Sequence, residues 1–143
     1  SKRLSGLSKE FEPPNDLVFF IERSVGKHLG HILREMGYRI ILHSERFKDS
    51  TSDEHWLTVV GEKKWVAITK DQNIRYNPLE REALLTAKVR AFVITAGHVT
   101  KEEIVEMVSK HLPEMCRLAR EVSPPFLARV TKNDVALYDI KAR

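Results

Sequence analysis

WVAITKD, residues 65–71, is the stretch that decides how this chain folds. Trp65 to Ile68 make an unbroken apolar run, as expected of a central parallel strand covered on both faces. The run closes on Lys70-Asp71, so a carboxylate stands where the chain leaves the strand. In open α/β folds that side of the sheet is where ligands and chemistry are placed. Asp71 therefore needs partners, and the flanking sequence offers them.

Upstream, LVFFIE (17–22) repeats the pattern, an apolar run closed by an acid, Glu22. Between Gly26 and Gly37, Leu29, Ile32, Leu33 and Met36 fall at helical spacing, and Gly37 is placed to stop that helix in a left-handed conformation. YRIILHS (38–44) reads as the next strand. The polar stretch SERFKDSTSDEHWL (44–57) leads into a helix with Trp56, Leu57 and Val60 on its buried stripe, running to about Lys64. Thr51-x-x-Glu54 reads as its capping box. Downstream of Asp71, Asn77-Pro78-Leu79-Glu80 combines a capping residue, a proline at the first helical position and a first-turn acid, so a helix runs to about Lys88. VRAFVITAG (89–97) is a fourth strand. Thr100-x-x-Glu103 opens a long helix striped by Ile104, Val108, Leu112, Met115 and Ala119, with Pro113 placed to bend it. FLARVTK and DVALYDI alternate around Lys132-Asn133-Asp134 as a hairpin.

Strands and helices thus alternate four times before two final strands. Right-handed crossovers place helices on both faces of a mainly parallel sheet. The expected fold is α/β, a three-layer α/β/α sandwich of Rossmann-like outline with the C-terminal hairpin at the sheet edge. The first 16 residues, polar and carrying Pro13-Pro14, read as a flexible tail or linker, and residues 17–143 as one domain. At 143 residues the chain is long enough for one real core.

With 42% apolar and 31% charged residues the composition is that of a globular protein, not a disordered or fibrous one. No apolar run approaches the roughly 18 residues needed to span a bilayer. There is no signal-peptide pattern either, so no membrane is involved and the cytoplasm is the expected compartment. The single cysteine, Cys116, lies on an apolar helical stripe and reads as a buried thiol. A net charge of +4 favours a polyanionic partner without concentrating it in any one block.

The ends of the first and third strands share one edge, so Glu22 and Asp71 can face one crevice. Asp53 or Glu54, at the start of the intervening helix, can join them there. Converging carboxylates repel one another, and a divalent cation relieves the repulsion. Oxygen ligands suit Mg²⁺ or Mn²⁺, which can activate a water and neutralise charge on a phosphate. Each acid also has a plainer account: Asp71 capping the next turn, Glu54 in the capping box, Glu22 paired with Arg23.

At FFIERSVGKHLGHILREMGYRI, DSTSDEHWL, WVAITKDQNIR and VRAFVITAGHVT, the chain resembles the PIN-like domains of VapC-type toxin nucleases, over roughly residues 17 to 130. The resemblance implies a metal-dependent endoribonuclease using Mg²⁺ or Mn²⁺, held in check by a small antitoxin protein. It matches Glu22 to the first metal-site acid, Asp53 or Glu54 to the second and Asp71 to the third, which makes these four the candidate catalytic residues. The family's first acid is usually Asp. Its fourth acid has no counterpart after strand four, where Thr95, Gly97 and His98 stand instead.

Arg23, Lys70 and Arg75 flank the acids and are candidates to hold RNA phosphates, as is His98. Lys27 and Lys101, at helix starts near the same edge, are weaker ones. His28 and His31 lack a third ligand for zinc and read as surface residues. Trp56 and Trp65 fit buried positions, whereas Tyr76 is exposed enough to stack on a base. The expected substrate is structured RNA such as tRNA or rRNA. A homodimer would use exposed apolar residues of the long helix or the last hairpin. The competing reading is a catalytically inactive PIN-like module that binds RNA or a protein partner. A nucleotide-binding Rossmann domain would need a glycine-rich loop after the first strand, which is missing.

Overall fold

Val18–Ile21 (β1) lies at the heart of the sheet because its side chains alternate between two apolar environments. Phe19 and Ile21 enter one core while Phe20 enters the other. The structure is a computed structural model and describes residues 11–140. Around β1 the chain adds Arg39–Leu42 (β2), Val66–Thr69 (β3), Arg90–Ile94 (β4), Phe126–Val130 (β5) and Val135–Leu137 (β6). The sheet order is β2-β1-β3-β4-β5-β6. Pairings are parallel from β2 to β5, and β6 closes the edge antiparallel to β5. This is the expected α/β sandwich with its terminal hairpin.

The helices are Lys27–Glu35 (α1), His43–Arg46 (α2), Asp53–Lys63 (α3), Pro78–Thr86 (α4) and Lys101–Glu121 (α5). The short α2, directly after β2, is an addition to the expected order. α1 and α5 cover one face of the sheet through Leu29, Leu33, Val108 and Met115. α3 and α4 cover the other through Trp56, Leu57, Val60 and Leu84. Removing a fully buried aromatic such as Phe20 from this second core costs about 3–5 kcal/mol.

Two local details differ from the sequence reading. The cap of α3 is Ser52, not Thr51: its hydroxyl accepts the His55 amide at 3.2 Å. Glu54 therefore falls at the second helical position, outside a capping box. α5 runs unbroken through Pro113 and begins with the expected capping box of Thr100 and Glu103. Gly37 takes the positive φ (103°) that ends α1's turn. The buried thiol of Cys116 is pushed up to about 11 by desolvation.

Of the expected tail, residues 1–10 lie outside the described residues. Phe11 packs on the first core, and Asp16 pairs with Arg120 at 2.7 Å. No helix among the described residues is long and apolar enough to cross a membrane.

Candidate active site

Parallel β-α connections bring the C-terminal ends of β1 and β3 and the N-termini of α3 and α4 to one edge. The close approach of α3 to α4 depends on Gly61, where a Cβ would meet the Ala87 carbonyl at 2.3 Å. Asp53 is the first residue of α3 and Glu80 the third of α4, so both acids stand at helix N-termini, at the ends opposite the Gly61–Ala87 contact. Asp71 joins them from the end of β3. One carboxyl oxygen from each of Asp53, Asp71 and Glu80 lies within 4.8 Å of the others.

Each member is held differently. Asp53 Oδ1 accepts the indole N–H of Trp56 at 2.8 Å, and Trp56 is locked in the core by stacking on Phe20. Asp71 Oδ1 accepts the Asn73 amide at 2.9 Å and so caps the 3₁₀ turn Gln72–Arg75. Capping and membership of the acid group are thus compatible in one side chain. Glu80 is 7% exposed, yet its buried Oε1 has no hydrogen-bond partner. Desolvation, then the neighbouring Asp71 and Asp53, push its pKa up to about 8. Two helix N-termini point partial positive charge at the group, which eases the crowding by a modest amount.

A cation fits this arrangement. An unsatisfied buried oxygen and a carboxyl forced to keep its proton are the signs of a negative site awaiting a positive charge. Asp53, Asp71 and Glu80 are the residues able to hold one, through oxygen donors of the kind that Mg²⁺ and Mn²⁺ take.

Glu22 lies outside that group but is wired to it. It is 5% exposed, and its Oε1 accepts the Thr69 hydroxyl at 2.6 Å and the Ser24 hydroxyl as well. Those same hydroxyls accept the backbone amides of Asp71 and Lys70, each at 3.0 Å. Glu22 thus braces the turn that carries Asp71. His43, the first residue of α2 directly after β2, packs with its ring tilted against Phe20 and Phe47. Burial lowers its pKa against the pull of Glu22, and its Nδ1 is unpartnered.

Of the other sequence candidates, Glu54 is absent from the converging acids and lines a groove between α3 and α4 with Thr58, Glu62 and Leu79. Arg23 and Lys70 follow β1 and β3, His98 follows β4, and Arg75 ends the 3₁₀ turn after β3 with its guanidinium against the Tyr138 ring. Arg23 and His98 are exposed, Lys70 and Arg75 partly so. Trp56 and Trp65 are buried and Tyr76 is 67% exposed, as the sequence suggests.

Glu80 is the acid that sequence reasoning passed over, because a first-turn acid is explained well enough by the helix dipole. The available signal was periodicity: Glu80, Ala83 and Leu84 form the buried stripe of α4. An acid on an apolar stripe needs a reason beyond the dipole.

The sequence profile of a family described as a PIN-like domain matches residues 17–96, a span that contains Glu22, Asp53, Asp71 and Glu80. A Mycobacterium tuberculosis protein named "Putative ribonuclease VapC45" is 29% identical over 110 residues, covering 73% of this chain and 80% of the relative. No solved structure matches. Since the profile spans more than half of its residues, the chain belongs to the PIN-like domain family.

Proposed function

We propose that the protein is a metal-dependent endoribonuclease that hydrolyses RNA phosphodiester bonds as the toxin of a toxin–antitoxin pair. The observation that carries this reading is the buried Glu80 oxygen, left without a partner among Asp53 and Asp71. Those three residues hold Mg²⁺ or Mn²⁺, which when bound supplies an activated water and offsets charge on the scissile phosphate. The choice of RNA rests on the ribonuclease named among its relatives.

The chain's own residues supply position and charge. The Trp56 indole and the Asn73 amide each fix one oxygen of Asp53 and Asp71, which sets how the remaining oxygens face. Glu22 acts through Thr69 and Ser24 to hold the Lys70-Asp71 backbone. Arg23, Lys70, Arg75 and His98 form a rim that takes phosphates of tRNA or rRNA and orients the strand over the acids. A small antitoxin blocks this edge by placing a basic side chain among the carboxyls. The protein works in the cytoplasm, and Leu137, exposed on edge strand β6, is where a second copy would pair.

The test is cleavage of purified tRNA and rRNA with Mn²⁺ or Mg²⁺, using EDTA and Asp71→Asn as controls. Cutting that needs metal and falls by about a hundredfold or more in the variant is the expected result. Folded protein that neither takes up Mn²⁺ nor cuts would sink the nuclease and leave a non-cutting RNA- or protein-binding module in its place.

A further inference from the structure

The connection between Asp71 and Glu80, residues 72–79, is a continuous chain of local bonds. Asp71 Oδ1 caps it by accepting the Asn73 amide, and the Asn73 carbonyl accepts the amides of Tyr76 at 2.9 Å and Asn77 at 2.7 Å. The Asn77 side chain then caps α4, accepting the Leu79 amide at 3.0 Å and the Glu80 amide at 3.2 Å. Both acids are therefore fixed to one hydrogen-bonded piece, and where that piece sits decides where their carboxyls stand. The C-terminal segment 138–140 grips it at three points. The Arg75 guanidinium lies 4.0 Å from the centre of the Tyr138 ring. Arg81, next to Glu80, donates through Nη2 to the Ile140 carbonyl. Ile140 is buried in the same core as Ile74 and Leu84.

We infer that residues 138–140 are a positioning strap for the proposed cation site. Tyr138, acting through Arg75, and Ile140, acting through Arg81 and the core, hold the connection that sets where the Asp71 and Glu80 carboxyls stand. The inference rests on the cation site proposed above and adds residues to it from a distant part of the chain. Family membership does not assign them, since the matched profile ends at residue 96.

Three observations carry it. Asp53, Asp71 and Glu80 have oxygens within 4.8 Å of one another, so ionised members of the group push the connection away from α3. A site that must keep its carboxyls close needs an opposing hold outside the acids, and the strap supplies one. The strap is itself anchored to the sheet: the Tyr138 amide donates to the carbonyl of Leu127, a fully buried residue of β5, at 2.8 Å. The junction is also close-packed. Gln72, Arg75, Tyr76, Val93 and Tyr138 enclose about 10 Å³, no more than the space of one water. A cation held over a ring with so little water between them is attracted more strongly than at an open surface. The guanidinium gives its face to the Tyr138 ring and Nη1 to the Tyr76 hydroxyl, at 2.9 Å, which leaves its other N–H groups for the phosphate rim.

The experiment is calorimetric titration of Mn²⁺ into the full chain, with amide hydrogen exchange of the metal-free protein beside it. Tyr138→Leu should weaken Mn²⁺ binding about tenfold, the effect of a residue that orients ligands without being one, while Tyr138→Phe keeps wild-type affinity. In metal-free Tyr138→Leu the Asn73, Tyr76 and Asn77 amides should exchange faster than in the wild type. Arg75→Gln breaks the same contact from the other side and serves also if Tyr138→Leu does not fold. It deletes a positive charge, so bulk potential would tighten its Mn²⁺ binding, whereas lost positioning weakens it by about the same tenfold. The double variant should lose no more than either single one. Leu112→Ala, in the core on the other face of the sheet, is the control for lost stability and should melt lower with unchanged affinity. Folded Tyr138→Leu or Arg75→Gln binding Mn²⁺ like the wild type would overturn the strap and leave the cation site standing. So would Tyr138→Phe failing as Tyr138→Leu does, or Leu112→Ala losing as much affinity. A wild type that takes up no Mn²⁺ removes the cation site, and the strap's role with it.

Discussion

Two buried glutamates, Glu22 and Glu80, sit at the same end of the sheet in opposite conditions. Glu22 has two hydroxyl donors, Thr69 and Ser24, on one oxygen. Glu80 has one oxygen with no donor, and the nearest polar groups are two further acids. Burial alone is therefore not what marks a cation site. A buried carboxyl given neutral donors becomes part of the frame, whereas one surrounded by acids is stable only with a proton or a cation.

The largest expected effect separates these two roles. Glu80→Gln should reduce Mn²⁺ affinity about a hundredfold by calorimetric titration, while leaving the metal-free protein folded and at neutral pH more stable than the wild type. Glu22→Ala should do the opposite to stability, lowering it with or without metal by about 1–3 kcal/mol, because the Thr69 and Ser24 hydroxyls lose their acceptor. If Glu22→Ala melts like the wild type, the comparison fails at its structural end. If Glu80→Gln binds Mn²⁺ normally, it fails at the other.

A second effect is smaller and sets the comparison on a pH axis. Glu80 keeps its proton up to about pH 8 in the folded, metal-free protein, against an ordinary value of 4.5. Between those values the folded state binds more protons than the unfolded one. This contribution is therefore complete below pH 4.5 and is lost as pH rises through about 8. The slope is at most about 1.4 kcal/mol per pH unit and is reduced where solvent reaches the cleft. Thermal melts of the metal-free protein across this window should show the decline in the wild type and lack it in Glu80→Gln. Excess Mn²⁺ should invert it, since the cation displaces the proton. A flat wild-type profile would mean that Glu80 does not hold its proton.

The fold was legible because its signals are local. Unbroken apolar runs at 17–21 and 65–68, the Asn77-Pro78 cap and the Thr100–Glu103 box each act over a few residues, and each forms as expected. The site was legible only as far as strand ends could carry it. Asp71 follows from its position after β3, but Glu80 depends on how closely α4 approaches α3. The two helices meet closely at Gly61 and Ala87, residues 26 positions apart in sequence, a contact between distant stretches that no local pattern announces. The choice between Asp53 and Glu54 likewise turns on a one-residue difference in capping: with Ser52 as the cap, Asp53 opens the helix and joins the group. The Thr69 and Ser24 bridge to Glu22 joins hydroxyls 45 residues apart, a link that no spacing rule contains.

Asp53 stands between the two glutamates and provides the finest test. One of its oxygens is satisfied by the Trp56 indole, as Glu22 is by hydroxyls, while the side chain converges on Asp71 and Glu80. Trp56→Phe keeps an aromatic ring against Phe20 and deletes the N–H, so Asp53 loses its orientation but not its charge. Mn²⁺ affinity should fall by about tenfold, less than in Glu80→Gln, because an orienting donor is removed and not a ligand. Stability should drop by about 1 kcal/mol from the lost bond and the smaller ring. Glu54→Gln, one residue along on the same helical turn, is the paired control. It removes a neighbouring charge and leaves the orientation of Asp53 intact, so an effect of bulk negative potential would weaken Mn²⁺ binding in Glu54→Gln and not in Trp56→Phe. An effect confined to Trp56→Phe, with Glu54→Gln inside about 0.5 kcal/mol of wild type in stability and unchanged in affinity, would locate the cation by geometry and not by charge density.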